Sequence, residues 1–197
     1  MRLIEKYKGV CVFCSSSNRA PEACFETARR LGAAIAHENL PLVFGGVRTG
    51  LMGALASAAA DAGGVICSIL PEDMAVRGLA FEAGSQNRQI VTSGLAERKR
   101  LMAAEADAFV ALPGGVGTLE ELAEFIAEKQ LGYHNGPVVI LNADGYNTPV
   151  VELFDGFIAQ GFSRPSFREL YHVADSVEDA MDYLTRYTPP EVESKWS

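Results

Sequence analysis

Residues 108–121, Ala-Phe-Val-Ala-Leu-Pro-Gly-Gly-Val-Gly-Thr-Leu-Glu-Glu, constrain what this chain can fold into more than any other stretch. The first five are apolar and small to medium in size, as in a buried strand of a parallel sheet. Pro113 ends that strand, and Gly114, Gly115 and Gly117 follow. Thr118 then opens an apolar-periodic segment running to about Leu131, which reads as a helix. A strand, a glycine turn and a helix start together make an anion site. The first N–H groups of a helix lack intrahelical partners, and the macrodipole adds partial positive charge there.

Two familiar nucleotide fingerprints do not match. A dinucleotide loop would place a glycine at position 120, where Glu120 stands, and no glycine cluster is followed by Gly-Lys-Ser/Thr. What remains, Pro113-Gly114-Gly115-Val116-Gly117-Thr118-Leu119-Glu120-Glu121, has the form Pro-Gly-Gly-x-Gly-Thr-x-x-Glu. That pattern is the signature of the Lonely Guy (LOG) family, which the chain resembles from Val10 to about Leu184. The resemblance implies a phosphoribohydrolase that cuts the N-glycosidic bond of nucleoside 5′-monophosphates, cytokinin ribotides among them. Many relatives carry the older label "lysine decarboxylase-like".

The rest of the chain alternates strand-like and helix-like segments. Strands are expected at Val10–Cys14, Leu40–Phe44, Val65–Leu70, Ile90–Thr92, Ala108–Leu112, Val138–Leu141 and Tyr171–Val173. Helices are expected at Pro21–His37, Leu51–Ala62, Leu95–Ala106, Thr118–Leu131, Pro149–Gln160 and Ser176–Tyr187, with an irregular span over 71–88. Such alternation predicts an α/β fold: a Rossmann-like, doubly wound, mostly parallel sheet with helices on both faces. Ligands of such folds sit outside the carboxyl ends of the strands. Three turns have the composition for that edge: Ser15–Asn18, Gly45–Gly50 and Pro113–Thr118. With 197 residues and no linker, repeat or low-complexity stretch, one domain is expected, its core at about 9–187 and a loose tail at 188–197.

A net charge of −8 argues against nucleic acid as a partner, so an anionic substrate must be held by local positive groups. No apolar run of 18 residues and no apolar signal core at the N-terminus is present, so no membrane contact and a cytoplasmic location are expected. Cys11 and Cys14 have C-x-x-C spacing, but positions i and i+3 of a strand face opposite ways. With Cys24 and Cys67 they are expected as core thiols. His37, His134 and His172 are scattered and receive no role.

The resemblance extends to Gly45-Gly46-Val47-Arg48-Thr49-Gly50, where the family usually has glycine in place of Val47. It also covers Leu95-Ala96-Glu97-Arg98-Lys99, where the family has Met-His-x-Arg-Lys, and Asn142-Ala143-Asp144-Gly145-Tyr146. It implies that Arg98 is catalytic or positions substrate, and that Lys99 binds it. Taken alone, Glu97-Arg98-Lys99-Arg100 could be a solvated helix face with Glu105 or Asp107 nearby, and Arg100 is expected at the surface. Thr118 and Glu121 have the spacing of a capping box. Three glycines upstream favour catalysis for Glu121, facing the ribose to stabilise oxocarbenium charge or orient a water, with capping as a second role.

The expected substrate-binding set is therefore Lys99, Gly114, Gly115, Val116, Gly117, Thr118, Glu120, Gly45 and Gly46, around catalytic Arg98 and Glu121. The expected substrate is AMP or N6-prenylated AMP, cleaved to free base and ribose 5-phosphate without a cofactor or metal. By resemblance the enzyme is a homodimer with sites near the interface. A carrier of a phosphorylated ligand such as molybdenum cofactor is the alternative. It would need the glycine turn but not the carboxylate. Lysine decarboxylation with pyridoxal phosphate would need a Schiff-base lysine by the turn, and of Lys6, Lys8, Lys99, Lys129 and Lys195 only Lys99 is so placed.

Overall fold

Strand β1 (Val10–Phe13) is the pivot of the sheet. In the computed structural model, which describes residues 3–82, 84 and 87–190, the strand is buried along its length. Alternate residues serve two separate cores: Val10 and Val12 pack on one face of the sheet, Cys11 and Phe13 on the other. A strand covered on both faces has no polar side to show, which is why its sequence reads as an unbroken apolar run.

Around β1 lie β2 (Leu42–Phe44), β3 (Ile66–Pro71), β4 (Arg88–Thr92), β5 (Ala108–Ala111), β6 (Val138–Leu141) and β7 (His172–Ala174). They form a seven-stranded sheet in the order β4-β3-β2-β1-β5-β6-β7, and each pairing is parallel. One core is closed by α2 (Glu22–His37), α3 (Gly50–Asp61) and α8 (Val177–Arg186). The other is closed by α5 (Leu95–Glu105), α6 (Val116–Gln130), α7 (Thr148–Ala159) and a 3-10 turn at Pro165–Leu170. The expected doubly wound architecture is borne out. Chain order reverses on either side of β1, whose neighbours are β2 and β5, so the crevice of this fold opens above the ends of β1 and β5.

Besides the 3-10 turn, two short α-helices were not expected from the sequence. These are α1 (Leu3–Lys6) and α4 (Glu72–Val76), the latter inside the span read as irregular. One turn of helix is too short to display a 3.6-residue period. Tertiary bonds hold α1 instead: the Lys6 ammonium donates to the carbonyls of Leu184, Thr185 and Tyr187 at the end of α8. Cys11 and Cys14 fall in opposite cores, and all four cysteines are buried free thiols, as expected. From residue 191 the expected tail lies outside the described residues. Among the described residues no helix is long and apolar enough to cross a membrane.

At the far end of α6, the Lys129 side chain is wholly buried, with its Nζ 4.9 Å from the centre of the Tyr187 ring and without a hydrogen-bond partner. Burial lowers its pKa to about 8 from 10.5. Between those two values the unfolded chain binds a proton that the folded chain does not, so this group adds stability as pH rises; below about 8 its penalty is complete. Lys129→Met keeps the stem and removes the charge. At pH 7 it is expected to be more stable by on the order of 1–3 kcal/mol, a melting point several degrees higher. The gap should narrow from pH 8 towards 10. A gap that stays constant across that range would show that the amine is not the cause.

Candidate active site

The three expected edge turns meet. The backbone N–H of Ser15, just beyond β1, donates to the Pro113 carbonyl at 3.2 Å, which ties the first turn to the third. The second turn docks on the first through Thr49 Oγ1 to the Ser16 carbonyl (2.9 Å) and the Gly50 N–H to Asn18 Oδ1 (2.8 Å). Gly50 is required there: its φ is +64°, and a Cβ would lie 2.3 Å from the Ser16 carbonyl carbon. Together the turns bound a cleft of about 610 Å³.

The two glycine turns differ in what their helices leave free. At the start of α3, the N–H of Gly50 goes to Asn18 and that of Met52 to the Ser15 carbonyl. Two of the first amides at that end are thus already bonded from within the protein. At the start of α6, Gly115 is the N-cap, and no side chain bonds the first turn. Val116, Gly117 and Thr118 line the cleft, and Cβ atoms built on Gly115 or Gly117 would meet nothing within 4 Å. The α6 end is the open donor site.

Helix α6 begins at Val116, two residues before the expected start, which corrects the capping-box reading. Thr118 is the third helical residue and Glu121 the sixth, and the side chain of neither caps the helix. Glu121 is instead 3% exposed and accepts a hydrogen bond from Arg98 Nη2 on α5. The Glu97–Arg100 stretch is likewise not one solvated face. Arg98 is 7% exposed, whereas Arg100 is at the surface beside Glu97, as expected. Glu105 pairs with Arg88, and Asp107 accepts from the Lys8 N–H, so neither serves Arg98 or Lys99.

Burial pushes the carboxyl of Glu121 above the usual carboxylate range, against the pull of the Arg98 guanidinium. Arg98 Nε is buried and, among the described residues, has no hydrogen-bond partner. A guanidinium lining the same cleft as free helix amides has the chemistry to hold an anion. Lys99 is bound by both Glu120 and Glu124. Burial of its amine acts downward, but those two carboxylates raise its pKa overall, so it stays a cation.

Gly45 and Gly46 stand behind the cleft wall. A Cβ on Gly45 would lie 3.2 Å from Arg98 Nη2, so glycine there makes room for the guanidinium. The remaining walls were not singled out as site residues from the sequence. Ser15, Ser16 and Ser17 form one side, and Val47, Met52, Met74, Leu79 and Leu95 form an apolar end. Met74 and Leu79 are brought over by a bridge between Val47 and Ala80 and by the Arg48 N–H to the Leu79 carbonyl (2.9 Å). Nothing in the local sequence announces such a long-range pairing. Among the described residues no group of three His, Cys, Asp or Glu side chains could hold a metal ion.

Comparison with known proteins gives two kinds of likeness. Residues 52–184 match the family described as "possible lysine decarboxylase". A rice (Oryza sativa subsp. japonica) protein named probable cytokinin riboside 5′-monophosphate phosphoribohydrolase is 38% identical over 184 residues, spanning 93% of this chain and 75% of its own. An Arabidopsis thaliana cytokinin riboside 5′-monophosphate phosphoribohydrolase is also 38% identical, over 93% of this chain and 85% of its own. Among solved structures, the molybdenum cofactor binding protein of Rippkaea orientalis shares the fold with a TM-score of 0.70 and 23% identity, over 90% of this chain and 95% of its own. The molybdenum cofactor carrier protein of Chlamydomonas reinhardtii gives 0.66 and 26%, with the same coverage.

Proposed function

The chain belongs to the Lonely Guy family, the group covered by the "possible lysine decarboxylase" model, and we propose that its cleft hydrolyses nucleoside 5′-monophosphates to free base and ribose 5-phosphate. The observation that carries this reading is the buried Arg98–Glu121 pair lining the same cleft as the uncapped start of α6. The phosphate takes the Gly114–Thr118 turn and the spare donor of Arg98. Thr118 and Lys99 border it. Glu121, held by Arg98, faces the ribose.

The C1′–N bond breaks as the oxygen of water bonds to C1′, and the departing base takes up a proton. Positive charge develops on the ribose ring before the water arrives. A carboxylate fixed in a nearly dry site stabilises that charge without having to reorganise. Arg98 orients Glu121 and opposes the upward pull of burial on its carboxyl. AMP and N6-prenylated AMP are the substrates proposed, and the apolar end formed by Val47, Met74 and Leu79 suits a flat base. Exposed Leu95 and Val116 at the cleft favour a second copy of the chain as cover, giving a homodimer.

A carrier of a phosphorylated ligand needs the amide turn but no buried carboxylate facing it, so Glu121 favours hydrolysis. Decarboxylation through a Schiff base fares worse. Lys99 is kept charged by Glu120 and Glu124, the reverse of what a nucleophilic amine requires. The test is a panel of nucleoside monophosphates read out as free base, with lysine as a further substrate. Base release from AMP or its prenylated form, and no carbon dioxide from lysine, is the expected result. Tight nucleotide binding with no base released would return the protein to the carriers.

A further inference from the structure

Beside the Gly114–Thr118 turn lies a second hollow of about 340 Å³, bordered by Gly114, Gly115, Thr118, Tyr146 and Asn147, which shares Gly115 and Thr118 with the cleft. The Tyr146 hydroxyl donates across it to the Gly114 carbonyl at 2.8 Å. We propose that Tyr146 is a positioning residue whose hydroxyl fixes the Gly114–Gly115 peptide so that its N–H faces the anion. The inference rests on the phosphate reading of the turn and deepens it.

The argument follows from peptide geometry. In a trans peptide the carbonyl of one residue and the N–H of the next point in opposite directions. Holding the Gly114 oxygen towards Tyr146 therefore turns the Gly115 N–H away from Tyr146, and Gly115 lines the cleft. Among the described residues that N–H has no hydrogen-bond partner. Two adjacent glycines place little steric barrier on rotating the peptide plane between them. Rotated, the plane would aim a carbonyl dipole at the phosphate and withdraw a donor. Arg98 lines the same cleft, and among the described residues its buried Nε has no hydrogen-bond partner.

Tyr146 is itself held in place. It sits in the loop after β6, where Asn142 Oδ1 accepts from the Asn147 N–H (2.7 Å) and Asn147 Nδ2 donates to the Leu141 carbonyl (2.8 Å). Asn147 is buried, and Gly145 takes a φ of +73° to close the turn. The tyrosine ring is about half exposed, so its bulk contributes little to the core. The hydroxyl is what the turn needs.

The experiment compares wild type and Tyr146→Phe by calorimetric titration with inorganic phosphate and ribose 5-phosphate, by kcat and KM for AMP and adenosine, and by melting temperature. Loss of one orienting hydrogen bond should weaken phosphate and ribose 5-phosphate about 5–10-fold and raise KM for AMP by the same factor. The preference for AMP over adenosine should fall equally, with kcat and melting temperature near wild type. Equal phosphate affinity in the two proteins would overturn the proposal, as would an equal loss towards adenosine, which marks general damage. If wild type releases no base from any nucleotide but Tyr146→Phe still weakens phosphate, the hydrolase reading fails and this one stands. If base is released and phosphate affinity is unmoved, the reverse holds.

Discussion

Glu121→Gln is expected to lose about 100-fold or more in kcat, the usual scale for a positioned electrostatic or acid–base group. The amide can still accept from Arg98, but it brings no negative charge to an oxocarbenium-like transition state and cannot serve as a base. A cost in stability follows from the same contact. Breaking a buried ion pair by neutralising one member costs about 3–5 kcal/mol when the other is left uncompensated. Arg98 borders an open cleft and keeps one hydrogen bond, so the lower part of that range applies. For a chain of this size that corresponds to a fall in melting temperature of several degrees. A capping glutamate would have predicted almost no thermal change, since glutamine can take the same place in a capping box.

Kinetics and melting of wild type, Glu121→Gln and Glu120→Gln, measured with AMP and a prenylated ribotide, separate these effects. Glu120 is exposed and tied to Lys99, so its variant reports loss of charge near the mouth without disturbing Arg98. Near-normal kcat in Glu121→Gln with a lowered melting point would mean that the carboxylate only neutralises Arg98.

Monophosphates should be preferred over nucleosides by a factor on the order of 100 or more in kcat/KM. Each charge-assisted hydrogen bond to a bound phosphate contributes about 1.5–3 kcal/mol, and two lost bonds correspond to at least a hundredfold. The donors proposed are the amides of Val116, Gly117 and Thr118, which no side chain caps, and the guanidinium of Arg98, which lines the same cleft. Inorganic phosphate should compete with AMP and leave any residual adenosine cleavage untouched. Comparable kcat/KM for AMP and adenosine would remove the phosphate from the α6 turn.

The architecture and the central turn were legible because both are written in local terms. Runs such as Val10-Cys11-Val12-Phe13 and Ala108-Phe109-Val110-Ala111 are apolar on both sides of the pleat, which only a sheet covered on both faces allows. Pro113 and three glycines before an apolar-periodic segment announce a turn and a helix whatever surrounds them. The helix start was misplaced by two residues for a physical reason. Val116 and Gly117 carry no period of their own, and Thr118 to Glu121 mimics a cap that the folded chain does not use.

What the sequence alone determined is thus the layered fold, the glycine turn and the kinds of residue available to it: an arginine, two adjacent glutamates and a lysine. The tertiary structure decided which of them meet. Arg98 and Glu121 lie on different helices and come together because α5 and α6 pack on the same face of the sheet, with Gly45 leaving room for the guanidinium. It also decided that α3, with a glycine turn much like that of α6, has the amides of Gly50 and Met52 bonded to Asn18 and Ser15, while the start of α6 has no side-chain cap. Neither outcome could be read locally, because each depends on which groups distant segments bring within hydrogen-bond reach, and periodicity and composition carry no record of that.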